Sequence, residues 1–130
     1  MSDEHLRPEN DKRDLRIRTK AYALRVIRLY GSLPKTTEAQ VIGRQLLRCG
    51  TSPGAHYREA TRARSKAEFI SKIEGGLQEL DESGYWLELL IESGIIARSL
   101  LADLCAETDE LIAMFTASAI TAKGQPSGPR

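Results

Sequence analysis

"ISKIEGGLQELDESGYWLELLIESG", residues 70–94, decides the fold. Ile70, Ile73, Leu77, Leu80, Gly84, Leu87, Ile91 and Gly94 recur at alternating steps of three and four. That repeat keeps one stripe of a helix turned towards a partner, and a run this long describes a bundle helix. Just upstream, "SKAE" (65–68) supplies the start. Ser65 as N-cap with Glu68 three residues on is a capping box, in which each side chain satisfies an orphaned backbone N–H. Gly94 is the expected stop.

The flanking sequence repeats the theme. Downstream, Ala97, Leu101, Leu104, Thr108, Leu111 and Phe115 predict a fourth helix. Upstream, Thr37 and Gln40 form a second capping box, followed by an apolar face of Ile42, Leu46, Cys49, Pro53, Tyr57 and Ala60. The face continues across Pro53, so this is one helix. A bend is expected near residues 49–53, where the proline ring removes a hydrogen bond and presses on the carbonyl of Cys49. A first helix from about Asp14 to Tyr30 turns Leu15, Tyr22, Val26 and Leu29 to one side, and Gly31 and Pro34 close it. No run alternates with the two-residue period of a strand. Short connections make consecutive helices antiparallel neighbours. The prediction is an all-α, up-down-up-down four-helix bundle over residues 14–121. The polar ends, 1–13 and 122–130, are expected to be a disordered arm and tail.

A chain of 130 residues makes one domain. Its longest apolar run, "LELLIESGII" (87–96), is broken by Glu92 and Gly94 and falls short of the roughly 18 residues of a membrane span. The N-terminus lacks a secretory apolar region, and two cysteines, Cys49 and Cys105, make no disulfide framework. Reduced, buried thiols and a cytoplasmic protein are expected. Charge is uneven along the chain. Residues 1–74 hold 16 of the 19 Lys and Arg against 9 Asp and Glu, a surplus of +7, whereas residues 75–130 hold 3 against 9, or −6.

Chemistry is sparse. His5 and His56 are far apart, and His56 with Glu38 and Glu59 has no metal-ligand spacing. Neither cysteine has a histidine nearby in sequence, and no phosphate-cradling loop is present. A non-enzymatic protein is expected, with no cofactor, metal, membrane or small-molecule partner.

Two surfaces remain. Ile17, Ala21 and Leu24 lie on the first helix opposite Leu15, Val26 and Leu29, while Tyr85 and Trp86 lie off the third helix's seam. Gly75 and Gly76 sit consecutively inside a helix, where each costs about 1 kcal/mol relative to alanine, tolerable where a backbone must approach closely. Together these seven residues predict a self-association interface, the glycines alternatively serving the contact between the second and third helices. The other surface is basic. Arg44, Arg48, Arg58 and Arg62 fall within about 80° on the second helix, and Arg64 and Lys66 extend the patch over the turn. Two readings stay open: a phosphate-directed RNA or DNA surface, or a protein–protein module whose arginines serve salt bridges within or between subunits.

The segment "QLLRCGTSPGAHYREATRARSKAEFISKIEGGLQEL", residues 45–80, resembles the bacterial S23 family, the 23S rRNA intervening-sequence proteins. That family shows Q-L-x-R-x, then S-I-x-x-N-I-x-E-G, a basic serine-containing turn, E-F, and G-S-x-x-E-L. Gln45, Leu46 and Arg48 match the first block, Ser52 and Glu59 the second, and Gly75, Glu79 and Leu80 the last. Pro53, His56 and Tyr57 replace the second block's first Ile, its Asn and its later Ile. The resemblance implies a four-helix bundle assembled as a ring-like homopentamer. Related bundles bind nucleic acid, so it also implies RNA or DNA as a possible partner.

Overall fold

The computed structural model describes residues 8–126, with side chains from Leu15 onward. It contains four helices, α1 (Pro8–Ser32), α2 (Thr37–Thr61), α3 (Lys66–Glu92) and α4 (Arg98–Lys123), and no strand among the described residues. Proline suits a first helical turn, where its missing N–H has no partner to lose. Residues 8–13, expected in the arm, therefore belong to α1, and Ala122 and Lys123, expected in the tail, belong to α4. The rest of both predicted segments lies outside the described residues, apart from Gly124–Pro126 just beyond α4.

Each helix packs on its neighbours around the bundle: α2 on α1 and α3, α4 on α3 and, more thinly, on α1. One core runs through all four, with Tyr22 and Val26 of α1, Leu46 and Tyr57 of α2, Ile73, Leu80 and Leu87 of α3, and Leu111 and Phe115 of α4 buried. The seam of α3 departs from the predicted one. Its buried stripe is Ile73, Gly76, Leu80, Ser83, Leu87 and Leu90, so Leu77, Gly84 and Ile91 are only half buried. Small residues stand where α3 comes closest to α2 and α4.

The ends are built locally. Ser65 caps α3 by accepting from the Glu68 N–H at 3.0 Å, but the Glu68 carboxylate accepts from Arg64 N–H at 2.9 Å, one residue before the cap. Thr36, not Thr37, caps α2, because Thr36 is the residue with extended backbone, and its hydroxyl accepts from Ala39 N–H. Gln40 does not complete that box. Its amide donates to the Pro34 carbonyl at 2.8 Å and its oxygen accepts from Tyr30 at 3.1 Å, which pins the connection to α1. Gly94 adopts φ +79°, and the N–H groups of Gly94 and Ile95 return to the carbonyls of Ile91 and Leu90. This Schellman closure needs the left-handed backbone that glycine accepts without steric cost. α2 runs unbroken through the buried Pro53. No helix among the described residues is long and apolar enough to cross a membrane.

Candidate nucleic-acid interface

α2 buries Ala39, Gly43, Leu46, Cys49, Gly50, Pro53, Tyr57 and Ala60, which turns Arg44, Arg48, Arg58 and Arg62 outwards. All four are exposed, as is Arg64 in the following turn. Arg44, Arg58, Arg62 and Arg64 have no carboxylate in ion-pair range among the described residues. Thr51 and Ala55, short side chains, lie between the two ends of this row. Lys66 donates to the Gln125 carbonyl beyond α4. Arg18, which could have extended the surface from α1, instead grips Glu107 of α4 through Nε at 3.0 Å and Nη2 at 2.6 Å.

Arg48 differs from its neighbours on α2. Its guanidinium donates to Glu79 at 3.1 Å, to Glu82 and to Gln45 at 3.2 Å, while its backbone carbonyl accepts from the Ser52 hydroxyl at 2.8 Å. Trp86 donates from Nε1 to the same Glu82 at 3.0 Å. Of the four polar motif residues besides Arg48, three, Gln45, Ser52 and Glu79, thus converge on Arg48, which clamps α2 to α3. The fourth, Glu59, pairs with Lys72 of α3 at 3.2 Å. Glu82 was missed in the sequence. Its spacing of three from Glu79 put both carboxylates on one flank of α3, which was the available signal.

The proposed interface residues separate into two groups. Ile17, Leu24 and Tyr85 are 61%, 44% and 54% exposed, Ala21 is exposed, and Ile27 joins the same outward face of α1. Gly76 is buried inside the subunit. A Cβ there would lie 2.5 Å from Cε2 of Phe115, and one on Gly75 would lie 3.0 Å from the His56 ring. The close approach demanded by these glycines is therefore within the bundle, and Gly76 presents nothing to a second copy. Trp86 is half buried, edge-on to Tyr85 with ring centroids 5.0 Å apart. His56, packed over this glycine pair, has its Nδ1 buried without a hydrogen bond, 4.0 Å from Glu59.

Each helix also contributes one member to two polar pairs in the core, and Thr19 of α1, buried as well, donates to its own Leu15 carbonyl at 2.7 Å. Tyr22 and Thr108 hydroxyls share a 2.7 Å hydrogen bond, and Ser83 donates to the Cys49 sulfur at 3.2 Å. All four are buried. Burial pushes the Tyr22 phenol up to about 12 and the Cys49 thiol up to about 11, each opposed by its hydrogen bond. Cys49 is buried as expected, whereas Cys105 is half buried. No group of three His, Cys, Asp or Glu is gathered as a metal would require among the described residues.

The profile of the family described as "23S rRNA-intervening sequence protein" matches residues 13–117. Among solved structures, the chain is similar to a protein of unknown function from the S23 ribosomal protein family of Bacteroides thetaiotaomicron, at 33% identity and a TM-score of 0.80. That match covers 85% of this chain and 98% of the other. No curated protein matches.

Proposed function

Because the chain belongs to the 23S rRNA-intervening sequence protein family, we propose that it is a non-enzymatic, self-associating scaffold whose α2 face holds nucleic-acid backbone. The observation that carries the reading is the row of exposed arginines along α2 and its C-cap, Arg44, Arg58 and Arg62, with no carboxylate in range. Cations left to solvent on a rigid rod suit phosphate contacts, which release counterions and need no base-specific geometry. Arg48 is not part of that surface, since Glu79 and Glu82 already neutralise it. Replacing Arg44, Arg58 and Arg62 with alanine should abolish most RNA binding at low salt in a fluorescence-anisotropy titration. Equal binding by the variant and the native chain would exclude this face.

Self-association rests on the outward apolar stripe of α1, Ile17, Ala21, Leu24 and Ile27, which the bundle leaves uncovered. Exposed apolar patches of this kind are common interface markers. A ring, with five copies as the resemblance implies, joins unlike faces of successive copies, so the stripe need not meet itself. Ile17→Glu with Leu24→Glu should reduce the species in sedimentation to 14.4 kDa while leaving a helical monomer whose melting temperature no longer depends on protein concentration. A native chain that sediments only at the monomer mass removes the scaffold reading.

A second reading has its own support. Asp81, Glu88 and Glu92 are exposed on α3, giving that helix an acidic outer face. On this reading the arginines dock against that acidic face of the next copy. The arginine variant would then lose mass in sedimentation instead of losing RNA binding.

A further inference from the structure

The basic face constrains the form of its ligand, an inference that rests on the nucleic-acid reading above. At about 1.5 Å per residue, Arg44 stands about 21 Å from Arg58 and about 27 Å from Arg62 along α2. Arg48, also exposed, stands one turn from Arg44 with its charge taken up by Glu79 and Glu82, and from there to Arg58 the outward positions are the half-buried Thr51 and the exposed Ala55. Thr51 spends its hydroxyl on the Leu47 carbonyl at 2.8 Å. The row therefore has cations at both ends and a low, unreactive middle, a shape that spans two phosphate ridges rather than following one strand.

Stacking is absent from this face. Single-strand binding without sequence preference draws on aromatic side chains against which bases lie. Tyr57, the aromatic nearest these arginines in sequence, is 2% exposed and packs on Phe115 with ring centroids 6.1 Å apart. Tyr85 is exposed on α3, on its acidic outer face. A flexible strand would also have to be ordered against the rigid row, whereas a duplex arrives already stiff.

The groove must be shallow as well. α2 is held between α1 and α3 with its inner half buried. Only the outer half of a cylinder about 10–12 Å wide can enter, roughly 5–6 Å. The B-form major groove is about 8.5 Å deep, and proteins reading it insert a protruding helix. The A-form minor groove is wide and shallow and is recognised through shape and backbone. The geometry points to double-stranded RNA as the ligand of the α2 face, with Arg44 on one phosphate ridge and Arg58, Arg62 and Arg64 on the other.

The test uses the full chain and three fluorescent probes of one sequence: an RNA duplex of about 20 base pairs, the matching DNA duplex and one RNA strand alone. Duplex and single strand differ in counterions released per contact, which over four arginines amounts to about tenfold tighter duplex binding at about 50 mM salt. The RNA duplex should bind more tightly than both other probes. Arg44→Ala, Arg58→Ala and Arg62→Ala together should flatten its log–log salt slope by about 3, with an unchanged melting temperature. If the DNA duplex or the strand binds as tightly, the duplex-RNA inference is overturned while nucleic-acid binding stands. If none of the three probes binds, both are overturned.

Discussion

Gly76→Leu should destabilise the bundle by about 4 kcal/mol or more and lower its melting temperature by roughly 15 °C. The first added carbon already lies 2.5 Å from Cε2 and 3.1 Å from Cδ2 of Phe115, with His56 Cβ at 3.3 Å on the other side. Phe115 is wholly buried and packed against Tyr57, so its ring has no solvent-filled space to swing into. Even Gly76→Ala should lose stability: overpacking of about 1–3 kcal/mol outweighs a helix-propensity gain of about 1 kcal/mol. Gly31→Ala is the control, since no atom lies within 4 Å of a Cβ there and propensity alone should stabilise. The origin of the clash is separable. In a Phe115→Leu background the alanine at position 76 should cost less, with a favourable coupling of about 1 kcal/mol. Thermal melts of Gly76→Ala, Phe115→Leu and the double variant against the native chain decide it, and a Gly76→Leu chain melting with the native protein would show that α3 has room at this point.

That glycine marks how far the sequence could be read. The period of three and four located α3 and its partners, because burying one stripe of each helix is what the spacing demands. It could not choose between adjacent residues for the seam. Leu77 and Ile91 look like better core residues than Gly76, and Gly84 holds the same rhythm as they do. Yet close contact with α2 and α4 selects Gly76 and Ser83, since bulk there would force the helices apart. The outward arginines were legible for the same reason as the core: Arg44, Arg58 and Arg62 simply oppose it. The fate of Arg48 was not, because Glu79 and Glu82 lie 31 and 34 residues away and reach it only once α2 and α3 are antiparallel. Local hydrogen bonding, not periodicity, decided that Thr36 rather than Thr37 caps α2.

The second large effect is alkaline. Tyr22 and Cys49 hold their protons more tightly when folded, the phenol moving from 10.0 to about 12 and the thiol from 9.0 to about 11 because both are buried. The unfolded chain releases those protons first. Stability is therefore complete below about pH 9 and is lost progressively as the pH rises through the two folded values. A shift of two pH units corresponds to about 3 kcal/mol for each group, so together they can consume much of a small domain's stability by pH 12. Denaturant titrations from pH 8 to 11 should show the unfolding free energy falling with pH. Tyr22→Phe should flatten that fall, because the phenol is gone while Thr108 keeps its bond to the Leu104 carbonyl at 2.8 Å. An identical decline in Tyr22→Phe would mean that Tyr22 does not govern the alkaline limb.

The same four side chains do something else for the molecule. Apolar heptads are nearly interchangeable along their length, so a helix displaced by seven residues can still find greasy partners. Here such a slip would carry Leu101 or Phe115 to the level of Tyr22 in place of Thr108, and Gly76 or Leu90 to that of Cys49 in place of Ser83. The Tyr22 phenol would be stranded, forfeiting about 1–3 kcal/mol of desolvation, and Ser83 would lose Cys49, although Thr108 and Ser83 keep the carbonyls of Leu104 and Glu79 on their own helices. One rung of polar atoms thereby acts as an index mark on four otherwise repetitive rods, and it fixes the height at which Arg44, Arg58 and Arg62 stand relative to everything around them.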